Sequence, residues 1–283
     1  YIERFPVYCE AARHNFQVLG ADNITVRNEN SVDIVSDLPE VDVFYLDPAR
    51  RGEGNKRVFA LSDCEPDLPR LLPLLLQKAQ RVIAKLSPMA DLQQTESLLP
   101  GTAAIHVLSV RNECKELLFD IRREATVSIP PIHCVDFTAS GVEVSFTFTA
   151  EEERNASLVL AAQVGTYLYE PNASILKAGA FKAVARQYGV EKLHVSSHLY
   201  TSDALVGGFP GRTFRVENVL PFSNKVCKSI TREMPQANIT VRNFPLSVDE
   251  LRKKTKMQEG GDVYLFATTL SDGGKVLVVC RKL

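Results

Sequence analysis

Apolar and polar positions along the chain follow two periods that alternate. Val41 to Leu46 is apolar except for Asp42, which suits a strand covered on both faces, as in a parallel sheet. It stops at Asp47-Pro48, where a stiff proline turn holds an acid at a strand end. Before it, Tyr1 to Arg4 reads as a strand end, Pro6 to Leu19-Gly20 as a helix with proline and glycine at its two ends, and Asn23 to Arg27 as a short strand. A polar turn at Asn28-Glu29-Asn30-Ser31 leads to a short helix over Val32 to Ser36. After a loop at Arg51-Gly52-Glu53-Gly54 come a leucine-rich helix or pair of turns over Leu68 to Leu76, a strand over Arg81 to Leu86, a helix over Asp91 to Leu99 and a hairpin of Ala104 to Ser109 with Glu116 to Ile121. This alternation predicts a doubly wound α/β sheet.

From Thr126 the pattern changes. Val127 to Phe137 and Val142 to Phe148 alternate around Ala139-Ser140-Gly141, a hairpin signal. A polar break at Glu151-Glu152-Glu153 precedes an expected helix over Ala156 to Val164, and Pro171 opens another that runs to Tyr188 and stops at Gly189. Tyr167, Tyr169, Glu170, Asn172 and Lys177 surround that helix start. They suit either anion or base binding, or a capped helix packing its tyrosines. Further on, Thr213 to Leu220, Ile239 to Arg242, Val263 to Leu270 and Lys275 to Arg281 read as strands. Lys225 to Glu233 and a capping-box helix from Ser247 to Lys256 lie between them.

Composition narrows the function classes. Hydrophobic residues make up 45% and charged ones 24%, as in a soluble globular protein. No apolar run approaches the roughly 18 residues a membrane span needs. The six cysteines stand singly, so free thiols in a reducing cytoplasm are expected, with no metal site. His194 and His198 lack the motif that would make them metal ligands. Residues 205–283 hold 13 Lys and Arg against 7 Asp and Glu, which leaves the preceding residues acidic. Arg242, Arg252, Lys253 and Lys254 are the candidate phosphate contacts in that basic part, although a solvated helix face accounts for the same charges.

With these residues in view, positions 1–124 resemble the later part of a class I S-adenosylmethionine-dependent methyltransferase domain, entered at the end of its second strand. The resemblance implies that Glu3 holds the cofactor ribose and that Asn30, or Glu29, with Ser31 beside it, reads the adenine. It also sets Asp47-Pro48-Ala49-Arg50 in the place of the family's Asp-Pro-Pro-aromatic or Asp-Pro-Pro-Arg motif, with Asp47, Pro48 and Arg50 as catalytic candidates and Asp47 also facing the cofactor. The glycine-rich turn after the family's first strand is absent from these 283 residues. The chain alone is therefore expected to bind S-adenosyl-L-methionine poorly. Leu86-Ser87-Pro88 stands where carbon-5 pyrimidine methylation would need a cysteine, so transfer to a base nitrogen is favoured. Tyr169-Glu170-Pro171-Asn172 and Arg242-Asn243-Phe244-Pro245 resemble the tail of a bacterial branch that carries a ferredoxin-like segment, expected at 125–205, and a THUMP-like domain, expected at 206–283. THUMP domains bind RNA, which implies an RNA substrate. The rival is a non-catalytic RNA-binding scaffold on a methyltransferase fold. Taken singly, Glu3, Arg50 and Lys85 each have a plain surface explanation. Their placement at three successive strand ends is what points to a site.

Overall fold

The computed structural model describes residues 1–50, 61, 64–125 and 127–283. The loop Arg51-Gly52-Glu53-Gly54 and Thr126 lie outside the described residues, and of Arg50 only the backbone is described. The chain divides into two compact units, Tyr1–His106 with Lys115–Pro131, and Val107–Cys114 with Ile132–Leu283.

In the first unit, α1 (Pro6–Val18) starts on its proline, and α2 (Ser31–Ile34) is capped by Asn30, whose side chain accepts from the Val32 N–H. Then follow β1 (Val41–Leu46), β2 (Ala49–Arg50), β3 (Cys64–Glu65), α3 (Leu68–Lys78), β4 (Ala79–Leu86), α4 (Leu92–Leu98), β5 (Thr102–Val110) and β6 (Glu113–Arg122), the stretch Val107–Cys114 that ends β5 and begins β6 being counted with the second unit. Leu68, Leu71, Leu72 and Leu75 recur at helical spacing and are the buried stripe of α3. β1 runs parallel to β4, from Val41 opposite Ala79 to Leu46 opposite Ala84, and β6 pairs antiparallel with the other edge of β4. Asp120 of β6 is buried and takes hydrogen bonds from Arg81 and Arg122, which hold its carboxyl below the usual range although burial opposes them.

Two expectations for this unit need correction. Tyr1–Arg4 and Asn23–Arg27 do not form extended strands; they meet in one parallel bridge, Ile2 with Arg27, as suits two short segments with little ladder to share. The central strand is not covered on both faces. Val41, Val43 and Tyr45 face outward and are exposed, whereas Phe44 and Leu46 are half-buried on the other side. A nearly continuous apolar run conceals the two-residue alternation that burial reveals.

The second unit continues with β7 (Pro131–Phe137), β8 (Glu143–Thr149), α5 (Ala150–Asn155), β9 (Tyr167–Pro171), α6 (Ala173–Ala178), α7 (Phe181–Tyr188), β10 (Glu191–Lys192), β11 (Tyr200–Ser202), β12 (Gly211–Pro221), α8 (Asn224–Glu233), β13 (Asn238–Arg242), α9 (Val248–Thr255), β14 (Val263–Thr269) and β15 (Lys275–Lys282). The helix expected over 156–164 forms earlier, as α5. The Thr149–Glu152 capping box nucleates it, and three glutamates in its first turn favour the positive end of the helix dipole. The long helix expected after Pro171 is two helices, because Gly179 takes a left-handed conformation at φ 77° and ends α6.

β9 to β15 form a seven-stranded sheet in the order β10-β11-β9-β12-β15-β14-β13. Leu168, Phe214, Phe266 and Val278 pack on one face, and Ile239, Leu251, Leu265 and Leu277 on the other, under α8 and α9. β12 pairs antiparallel with β9 from Gly211 opposite Pro171 to Arg215 opposite Tyr167. At Gly211 the two backbones approach so closely that a methyl group would collide with the Glu170 carbonyl oxygen. Gly211→Ala should therefore destabilise this unit by on the order of 3 kcal/mol or more, seen as a lower thermal midpoint. An unchanged midpoint would mean that the β9–β12 approach is looser than described.

Candidate functional site

The carboxyl ends of β1 and β4 lie side by side because the two strands are parallel and in register up to Leu46 and Ala84. The next residue on each carries a charge, and Asp47 Oδ2 accepts from Lys85 Nζ at 2.5 Å. This bond, with the Asp47 charge and smaller contributions from Tyr45 and Glu116, raises the Lys85 ammonium pKa above its ordinary value despite partial burial. Pro48 is buried and fixes the exit of the chain from the strand.

Glu3 is brought to the same neighbourhood by a chain of contacts within the first unit. Its neighbour Arg4 forms a two-pronged pair with Glu65, at 2.7 Å on the shorter arm, and Glu65 is the ladder partner of Ala49, two residues beyond Asp47. Glu3 Oε1 accepts from the Phe5 N–H at 2.8 Å, and the Asn28 amide donates to the Glu3 carbonyl at 2.9 Å. Its second carboxylate oxygen has no hydrogen-bond partner among the described residues, so a diol could be accepted there. The adenine-reading candidates are occupied locally. Asn30 caps α2 and donates to Asp33 at 3.0 Å, Glu29 takes a bond from Arg27 at 2.6 Å, and Ser31 is the first residue of α2.

The four basic candidates of the second unit do not form one face. Ile239 and Val241 pack with Leu251 beneath α9, so strand alternation sends Arg242 to the opposite side of the sheet. There its Nη2 reaches Glu170 Oε1 at 2.7 Å. Arg252, Lys253 and Lys254 remain with α9. The Lys254 ammonium stands 5.6 Å over the Phe222 ring, and Arg252 lies 4.0 Å from Glu259. Glu170 also accepts Arg212 Nε at 2.9 Å, and Asn172 caps α6.

Two segments of the second unit resemble known domains. Residues 167–210 match a ferredoxin-like domain, and residues 211–282 match a THUMP domain-like model. The crystal structure described as a "putative methyltransferase from Porphyromonas gingivalis W83" is 43% identical in sequence, superposes with a TM-score of 0.91, and is matched over 100% of this chain and 71% of that one. The chain belongs to the methyltransferase family with ferredoxin-like and THUMP-like domains. No curated protein matches it.

Within this methyltransferase chain, among the described residues, no helix is long and apolar enough to cross a membrane, and no group of three or more His, Cys, Asp or Glu could hold a metal. The residue that sequence reasoning undervalued is Lys85. Read alone it is a long side chain at a strand edge, but parallel pairing makes two strand-terminal residues neighbours, and that rule was enough to join it to Asp47. Asp47→Asn should lower the Lys85 pKa toward that of an ordinary lysine, readable from the pH dependence of its side-chain NMR signals. An unmoved titration would mean that the pair does not persist in solution.

Proposed function

We propose that the protein is an S-adenosylmethionine-dependent methyltransferase that acts on RNA, at a base nitrogen rather than by a cysteine-dependent route to carbon 5. The observation that carries the reading is the Asp47–Lys85 pair at the carboxyl ends of adjacent parallel strands, tied through Arg4 and Glu65 to the Glu3 segment. In open α/β sheets ligands bind at this end of the strands. The half-buried Glu3, with one oxygen anchored by a backbone N–H, fits the task of accepting hydrogen bonds from vicinal hydroxyls. S-adenosyl-L-methionine, when bound, supplies a methyl group on a positively charged sulfur.

The chain's own residues then act by position. Asp47 would accept a hydrogen from an exocyclic amine and aim its lone pair, while Lys85 holds that carboxylate in one direction. Pro48 limits its movement. Such alignment is the main demand of a displacement at a methyl carbon. Asn30 caps α2 and would reach adenine only if that cap opened. The domain at 211–282, by its likeness to THUMP domains, and the basic character of 205–283 support RNA as the substrate. We assign the working domains as 1–124, 125–205 and 206–283.

Calorimetric titration of S-adenosylhomocysteine into the protein expressed from its complete gene tests the cofactor assignment. Binding in the micromolar range, weakened about 10-fold or more in Glu3→Ala, is the expected result. No heat of binding in the wild type would remove the catalytic reading and leave an RNA-binding scaffold on the same fold.

A further inference from the structure

We propose that the second unit holds a phosphate-binding site built on Glu170, Arg212 and Arg242, with Lys192 and His198 at its edge, and that an RNA strand supplies the phosphate. The choice of RNA as the source rests on the function proposed above; the site itself does not. Glu170 is only 2% exposed, whereas the side chains of Arg212 and Arg242 are 30% and 38% exposed. The carboxylate thus lies beneath and the two guanidinium groups lie between it and water. One bidentate arginine would satisfy a buried carboxylate. Here two arginines from different strands converge on it, Arg212 by hydrogen bonds to Oε2 and Arg242 as an ion pair 2.7 Å from Oε1, an oxygen with no hydrogen bond among the described residues. Arg212 uses Nε and Nη2 on Glu170, and Arg242 uses Nη2 on Glu170 and Nη1 on the Val241 carbonyl. Arg212 Nη1 and Arg242 Nε keep donors without a protein acceptor among the described residues. One free donor atom on each of two arginines anchored beside the same carboxylate can reach two oxygens of a phosphate.

The surroundings are more positive than the pairing requires. The buried Lys192 donates to the Val195 carbonyl at 2.7 Å and stands 5.1 Å over the Phe181 ring. His198 stacks on the same ring at 3.7 Å and takes a left-handed backbone at φ 52°, a strained conformation of the kind that gathers at functional sites. Burial, then the charges of Lys192 and Arg242, push the His198 pKa down to about 4, so the imidazole is neutral near pH 7 and can offer a ring nitrogen as an acceptor or a donor. Glu153, the anion acting on Lys192, already accepts the N–H groups of Lys182 and Ala183. His198 Nδ1 is buried without a hydrogen-bond partner, as is Oγ1 of Thr268, the ladder partner of Arg242. Buried polar atoms are seldom left so unless a ligand or water completes them. Glu170, Lys192 and His198 come from the ferredoxin-like match and Arg212, Arg242 and Thr268 from the THUMP-like one, so neither segment makes the site alone.

The test uses the whole protein with inorganic pyrophosphate and, separately, a labelled single-stranded RNA. Arg212→Gln and Arg242→Gln each leave Glu170 one arginine, and Lys228→Gln on α8, over the opposite face of the sheet, serves as the control. We expect the wild type to bind pyrophosphate and each arginine variant to bind it at least 10-fold more weakly, with Lys228→Gln unchanged. RNA affinity should fall alongside in the arginine variants, with the salt dependence shallower by about 0.7 in log–log slope for each phosphate that is no longer neutralised. Pyrophosphate binding that depends on the arginines, without RNA binding, keeps the site and removes RNA as its source. Folded arginine variants that bind pyrophosphate like the wild type, or a wild type that does not bind it, overturn the site. If a variant fails to fold, the arginine Nε–H signals of the wild type decide. Pyrophosphate should shift those of Arg212 and Arg242 and not that of Arg281, and unshifted signals overturn the proposal.

Discussion

The burial of the Glu170 carboxylate is the constraint on which the second unit turns. A lone ionised group at 2% exposure would cost several kcal/mol, so the chain must bring cations to it. Arg212 comes from the strand paired directly with β9, and Arg242 from β13 at the far edge of the same sheet. One carboxylate thereby ties both ends of the β9 to β13 array. The lack of a side chain at Gly211 belongs to the same arrangement, since it lets β12 lie against Glu170 closely enough for the pair to form. Truncating one arginine would leave a partly paired charge, whereas truncating Glu170 would set two guanidinium groups against each other.

In the first unit the governing interaction is simpler. Parallel pairing of β1 and β4 sets Asp47 beside Lys85, and the charge pair occupies the strand ends where open sheets bind ligands. The pair is partly exposed, so it adds little to stability. Its value lies in fixing a carboxylate direction. The Arg4–Glu65 pair does the corresponding work for the Glu3 segment, beside the Ile2–Arg27 bridge and the Asn28 amide that also hold it.

Much of this was legible in the sequence where local chemistry decides the outcome. The Ser247–Glu250 capping box, the proline at the start of α1 and the hairpin of β14 and β15 all formed where residue types and spacing placed them. The methyltransferase resemblance carried by Asp47-Pro48, together with the ferredoxin-like and THUMP-like tail, is met by the matched domains and the superposed structure. Long-range pairing was not legible. Nothing in the alternation of Asn238 to Arg242 tells which group Arg242 will meet, because its pairing with the distant Glu170 depends on how the sheet closes, not on local period. The exposure of Val41, Val43 and Tyr45 escaped for a related reason: apolar identity states what a strand can bury, and only its neighbours determine what it does bury.

The central claim is that strand-end residues of this chain direct a methyl group to RNA. Its most direct test is transfer of tritium from methyl-labelled S-adenosyl-L-methionine to cellular RNA and protein by the complete wild-type protein, beside Asp47→Ala. Label in RNA that falls by about 100-fold or more in the variant is the predicted result, a loss typical of removing a group that orients the reacting atoms. Label that enters protein instead, or RNA labelling indifferent to Asp47, would contradict the account.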